Sequence, residues 1–272
     1  MRVARLLEAA ALSVIALALL GAMAWRADGG HWERVETPSM GSAAPVGTLL
    51  WVKPVAFDRL AVGDIVTFRA PGVPGTVSHR IRAVNSDLTI STAGDLSGND
   101  PWRIGPDDVV GRVTHEWQGV GWLVSSAPIL LLGGGMLGLV VRFASRPRWR
   151  LPVTIVGTSV VLCVVIVTQR PLVRAEQVSF VAAEAGAQAT YVATGLLPIK
   201  LSSPSGDHVE LAAGHVGTVM SRTPDESGSY SVDITAHLPR GWWLLVVLAC
   251  FVPALGASLA DRRGRPRRRH GG

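Results

Sequence analysis

Four runs of about twenty mostly apolar residues constrain this chain more than any other feature. A helix needs roughly 20 such residues to cross a hydrocarbon core of about 30 Å. The runs are Leu6 to Trp25, Val120 to Val141, Leu151 to Thr168 and Gly241 to Ala260, and they predict about four transmembrane helices. Hydrophobic residues make up 48% of the 272 and charged residues only 17%, which excludes a disordered chain and argues against a wholly aqueous one. The first run also has features of a cleavable signal peptide, with Arg2 and Arg5 ahead of it and Ala22-Met23-Ala24 near its end. Its length and the runs that follow favour a retained anchor.

The net charge of +6 is distributed by side. Arg2, Arg5, Arg142, Arg146, Arg148, Arg150, Arg262, Arg263, Arg265, Arg267, Arg268 and Arg269 gather in the N-terminal stub, the 142–150 loop and the 261–272 tail, against only Glu8 and Asp261. Segment 26–119 holds nine basic and eleven acidic residues, and 169–240 holds five and seven. Short basic loops stay in the cytoplasm, so both termini are expected inside and both longer segments outside. The basic tail is explained as a topology signal, and no nucleic-acid partner is expected.

The expected order is therefore an N-terminal anchor (1–25), an exterior domain (26–119), a span (120–141), a basic cytoplasmic loop (142–150), a span (151–168), a second exterior domain (169–240), a span (241–260) and a basic tail (261–272). Both exterior segments read as β structure. In the first, Thr48 to Val52, Ile65 to Phe68, Val77 to Val84, Leu88 to Ser91 and Val109 to Val113 are short Val-, Ile- and Thr-rich runs separated by turn signals such as Val62-Gly63-Asp64. In the second, Tyr230, Val232, Ile234 and Ala236 alternate with polar residues. Trp25, Trp122, Trp242 and Trp243 at the run ends suit an aromatic belt, and Gly134-Gly135-Met136-Leu137-Gly138 suits a close helix contact. Cys163 and Cys250 fall inside apolar runs, so no disulfide is expected. His208, His215 and His237 lack a metal-ligand spacing, and no metal or organic cofactor is indicated.

Chemistry concentrates in the first exterior segment. Ser39 lies 14 residues beyond the first run, and His79, Asp95 and Asp100 follow it. A serine hydroxyl becomes a useful nucleophile when an adjacent base takes its proton, and a carboxylate that orients the base completes the set. The chain has only two lysines, Lys53 and Lys200, so a Ser-Lys dyad would have to recruit Lys53. Its position beside Pro54 reads as an outward strand residue. Each of Ser39, His79, Asp95 and Asp100 is by itself also ordinary turn or strand chemistry.

Four blocks in order carry a family resemblance: Pro38-Ser39-Met40-Gly41-Ser42 running on to Leu50, Val62-Gly63-Asp64-Ile65-Val66-Thr67-Phe68, Ser78-His79-Arg80-Ile81, and Gly94-Asp95 to Asn99-Asp100. Together they resemble the type I signal peptidases, in their endoplasmic-reticulum and archaeal branch, where a histidine replaces the lysine base. The likeness covers about residues 35–118 and the first run. It implies that Ser39 attacks the scissile carbonyl, that His79 accepts and then passes on its proton, that Asp100 orients His79 and that Asp95 supports the site. The family usually places its second aspartate one residue further on, where this chain has Pro101, which leaves the division of roles between Asp95 and Asp100 open. It also prefers Gly before the serine and Pro three after it, where this chain has Pro38 and Ser42. The Ser39 backbone N–H is the natural oxyanion donor, and Ser42 offers a hydroxyl.

The expected protein is thus a plasma-membrane serine endopeptidase with a mostly β, signal-peptidase-like catalytic domain, about four transmembrane helices and a second small β-rich domain. Its partners are the lipid bilayer and precursor proteins with signal peptides, cut at the exterior face beyond their apolar segment. Pro38, Ser42 and the shortened aspartate loop leave a second class open: a catalytically impaired membrane assembly or adaptor protein on the same scaffold.

Overall fold

The computed structural model describes residues 19–238 apart from 145, 184–185 and 225–227, with isolated helical positions beyond each end. The chain divides into two compact units. One holds 16–124 together with 171–237, and the other includes 125–170.

The first unit is built on an antiparallel six-stranded sheet. Its strands are β1 (His31–Arg34), β2 (Leu49–Lys53), β3 (Ile65–Phe68), β4 (Val77–Val84), β5 (Ile90–Ala93) and β6 (Val109–Trp117), in the order β1-β2-β6-β3-β4-β5. Every residue of β3 is buried, as a run of β-branched and aromatic residues between two neighbours should be. Gly63, at φ 98°, makes the turn into it. Two apolar clusters fill the unit, one around Met40, Leu50 and Val52, the other around Val66, Phe68, Ile81 and Ile90.

Residues 171–237 of the same unit form two three-stranded antiparallel sheets. One runs β10 (His208–Leu211), β9 (Ile199–Ser202), β12 (Asp233–Ala236); the other runs β11 (Val216–Ser221), β8 (Gly186–Ala193), β7 (Ala175–Ala183). Ile199, Leu201, Leu211 and Val219 form their core.

Two helices carry the apolar runs at the middle of the chain: α1 (Val120–Leu139) and α2 (Arg150–Gln169). With their short extensions, Val120–Phe143 and Pro147–Gln169 are the only described helices long and apolar enough to cross a membrane. The expectation of about four transmembrane helices is therefore corrected to two among the described residues. A candidate span needs both the length and the hydropathy in one continuous helix, and only α1 and α2 with their extensions meet both among the described residues. Half of the run at 6–25 and most of the run at 241–260, with Cys250, lie outside the described residues.

Two smaller expectations change as well. The close helix contact uses different glycines. A Cβ at Gly133 would meet Val161 at 2.8 Å and one at Gly157 would meet Leu137, whereas one at Gly134, Gly135 or Gly138 would meet none of the described residues within 4 Å. Trp122 is not an interfacial anchor. It is 4% exposed, lies under Arg34 and fills the space where a Cβ on Gly47 would stand. The aromatic cluster that does form joins Trp25, Trp51 and Trp117, with His115 beside the last two.

Candidate active site

The connection from β1 to β2 carries the nucleophile candidate. Thr37 is extended, at φ −119° and ψ 154°, and Pro38 opens a short 3-10 turn, Pro38–Met40, which closes with the Gly41 N–H donating to Pro38 O at 2.9 Å. An extended residue before proline and a proline at the first helical position are what the pyrrolidine ring favours. Pro38 is thus accommodated, and it fixes the entry to the turn that presents Ser39. As the second residue of that turn, Ser39 carries one of the N–H groups that a helical turn leaves without an internal partner. Met40, 1% exposed, anchors the turn in the core.

Strand alternation sorts the remaining groups. On β4, His79 and Ile81 point to the buried face, and Arg80 and Arg82 to the other. Ile81 pairs with Thr92 on β5 and Arg80 pairs with Ala93. Residues opposite one another share a face, so Thr92 stands on the side of His79. The segment after β5 is closed by an isolated bridge between Ala93 and Asn99 and by the Asp100 N–H donating to Thr92 O at 2.9 Å. This delivers Asp100 to the His79 face, while Asp95 goes to the arginine face.

The distances follow that division. Ser39 Oγ lies 3.0 Å from His79 Nε2, and His79 Nδ1 lies 2.7 Å from Asp100 Oδ2. An ionised carboxylate only accepts, so Nδ1–H donates to Asp100, leaving the Nε2 lone pair to accept the Ser39 hydroxyl proton. The Thr92 hydroxyl donates to the same Asp100 oxygen at 2.6 Å. The side chains of His79 and Asp100 are 11% and 8% exposed, so this pair acts where water screens it little. Phe68 packs edge-on against the imidazole at 6.5 Å between ring centres.

Asp95 has its hydrogen bonds with arginines rather than with His79. Its two oxygens accept from Arg80 Nε and an Arg80 terminal nitrogen at 2.9 and 2.7 Å, and Arg82 adds a third bond at 3.2 Å. The Arg80 guanidinium holds the Asp95 carboxyl below its usual range, and Asp95 in turn raises Arg80. Asp95 therefore clamps the outer side of β4, one residue from the imidazole. Lys53 donates to Asp28 and sits 5.9 Å over the Trp25 ring, engaged away from Ser39.

Thr92, like Thr37 whose hydroxyl lies 3.3 Å from Ser39 Oγ, is a site residue that the sequence does not single out. Nothing local distinguishes it, because its relation to Asp100 depends on the β4–β5 register. Gly94 has a comparable role: a Cβ there would lie 2.8 Å from Ser39 O and 2.9 Å from Ser39 Cβ. The adjoining Leu96 N–H donates to Ser39 O at 2.8 Å. Gly94 therefore lets the aspartate segment approach the backbone of the serine.

Ser39 and His79 open onto a cleft of about 490 Å³, a size typical of ligand sites. Glu33 to Thr37 and Val73 to Ser78 line it together with Met40 and Leu50. No cluster of three or more potential metal ligands occurs among the described residues. No protein-family model matches the chain, and no curated protein matches it significantly.

Proposed function

We propose that this chain is a membrane-bound serine endopeptidase, similar in mechanism to signal peptidase I, that removes signal peptides from exported precursors. The observation that carries the reading is the unbroken relay from Ser39 Oγ through His79 to Asp100, with spacings of 3.0 and 2.7 Å. In the reaction, His79 Nε2 takes the Ser39 proton as Oγ attacks the scissile carbonyl carbon. The developing oxyanion is met by the Ser39 N–H. The protonated imidazole, steadied by Asp100, then gives its proton to the leaving amine. Water, deprotonated by the same histidine, releases the acyl group and restores the serine.

The setting supports a substrate held at a membrane. Two helices are long and apolar enough to cross one, and the loop between them carries Arg142, Arg146, Arg148 and Arg150. That charge assigns the loop to the cytoplasm by the positive-inside rule. Segments 26–119 and 171–237 flank the helical pair in sequence, so the same rule assigns both to the exterior face of the plasma membrane. Ser39 follows the first apolar run by 14 residues, which keeps it near the bilayer, where a precursor's apolar segment ends.

The test is cleavage of a secretory precursor with an Ala-x-Ala site by the detergent-purified full chain, beside Ser39→Ala and His79→Ala. Cleavage by the parent chain that is lost in both variants supports the reading. A parent chain that cleaves no such precursor sinks it and favours the adaptor alternative; activity that survives Ser39→Ala refutes the assigned nucleophile.

A further inference from the structure

The turn between β10 and β11 reaches the peptide that closes the serine's own turn. Gly214 stands there at φ 76°, in the left-handed region, with its N–H donating to Ala193 O at 2.7 Å. The same turn is tied down twice more, by the His215 N–H to Ala212 O at 3.0 Å and by the Ala193 N–H to His215 O at 3.0 Å. It is therefore pinned to the end of β8. A Cβ at Gly214 would lie 2.4 Å from the Gly41 carbonyl oxygen, 2.7 Å from the Gly41 carbonyl carbon and 2.8 Å from Ser42 Cα. Backbone thus lies directly against backbone, with no side chain between.

The partner in that contact is the residue that ends the Ser39 turn. Gly41 has φ 53° and ψ −134°, and its N–H closes the turn on Pro38 O. Leu96 meets the same residue, since a Cβ on Gly41 would lie 2.9 Å from Leu96 Cγ, and its own N–H bonds Ser39 O. The Gly41 peptide is therefore held by a segment from the six-stranded sheet and by a turn from the 171–237 region. A helical turn of three residues has little rigidity of its own, and what touches its closing peptide sets its orientation.

The geometry points to Gly214 as a positioning residue for Ser39, and to the 171–237 region as a structural part of the catalytic unit. The proposal rests on the peptidase reading for its consequence in catalysis, but the contact itself has a separate readout. A side chain at position 214 cannot share that space with the Gly41 carbonyl, so the two backbones must part by up to about 1 Å to reach ordinary contact. A misplacement of about 1 Å in a catalytic array costs about 100-fold in rate.

Gly206 supplies the control. It lies in the neighbouring β9–β10 turn at φ 88°, and a Cβ there meets nothing within 4 Å. Gly206→Ala carries the left-handed strain without the contact. The experiment compares full-length Gly214→Ala and Gly206→Ala, with Gly214→Asn and Gly206→Asn as a second pair, because asparagine tolerates left-handed φ and guards against a failure to fold. Amide hydrogen exchange of residues 39–42 is measured alongside kcat and KM on the Ala-x-Ala precursor.

Faster exchange at 39–42 by about tenfold or more in the 214 variants alone, with kcat down about 100-fold and KM unchanged, is the expected result. If the 214 and 206 variants match in exchange at 39–42, the brace is overturned whether or not the chain cleaves anything. If exchange rises but kcat stays at the level of the 206 variants, the positioning role is overturned while the peptidase reading survives. If the parent chain cleaves nothing, that reading falls, and exchange alone decides the contact.

Discussion

Replacing Asp100 with Asn changes one buried charge beside His79 while keeping the side chain's shape. Asp100 Oδ2 accepts from His79 Nδ1 at 2.7 Å and from the Thr92 hydroxyl at 2.6 Å, and its side chain is 8% exposed. During acylation the imidazole becomes positive. Two unit charges about 4 Å apart interact by about 4 kcal/mol at an effective dielectric constant near 20. Losing that stabilisation in the transition state alone corresponds to about three decades of rate at 1.36 kcal/mol each. An asparagine that turns its amide toward Nδ1 also favours the wrong tautomer, and in Ser-His-Asp proteases the same change costs about 10⁴ in kcat. The expected loss for Asp100→Asn is therefore about 10³- to 10⁴-fold in kcat, with KM little altered. Asp95→Asn should stay within about tenfold of the parent chain, because Asp95 bonds Arg80 and Arg82 rather than the imidazole. Single-turnover cleavage of the Ala-x-Ala precursor measures both. Equal losses in the two variants, or the larger loss in Asp95→Asn, would refute the division of roles drawn from strand alternation.

Three further outcomes are expected. The Arg80–Asp95 pair links stability to pH: Asp95 has a folded pKa below its usual 3.8, so its contribution is complete above 3.8 and is lost as pH falls through the depressed value. Melting temperatures of the parent and Asp95→Asn followed downward from pH 6 should thus converge at the acid end; a constant gap would contradict the pairing. Gly94→Ala places a methyl 2.8 Å from Ser39 O, and should lower kcat by about 100-fold with KM retained, read in the same cleavage assay. Thr92→Val removes one donor from the buried Asp100 carboxylate and should destabilise the chain by about 1–3 kcal/mol in denaturant titration; a neutral result would show that the hydroxyl is dispensable.

Much of this molecule was legible in its residues. The apolar runs at 120–141 and 151–168 correspond to α1 and α2, because an apolar run of span length has few alternatives to a helix. The segments Ile65 to Phe68 and Val77 to Val84 coincide with β3 and β4, since composition and flanking turns act locally. Ser39, His79 and two candidate aspartates were also visible, as residue types in an order. The count of four spans is reduced to two among the described residues, where only α1 and α2 with their short extensions join the length and the hydropathy of a span in one helix.

The tertiary structure decided what spacing leaves open. Asp95 and Asp100 are five residues apart in one turn-rich segment, and no local rule says which reaches His79. The choice depends on the pairing of Ile81 with Thr92 and Arg80 with Ala93, which places the imidazole and the guanidinium on opposite faces of the sheet. The part played by Thr92 depends on the same β4–β5 register, and the approach of Gly214 to Gly41 joins segments far apart in sequence. Local chemistry determines the elements and the reactive groups available, but register and close approach are set only when the whole chain packs.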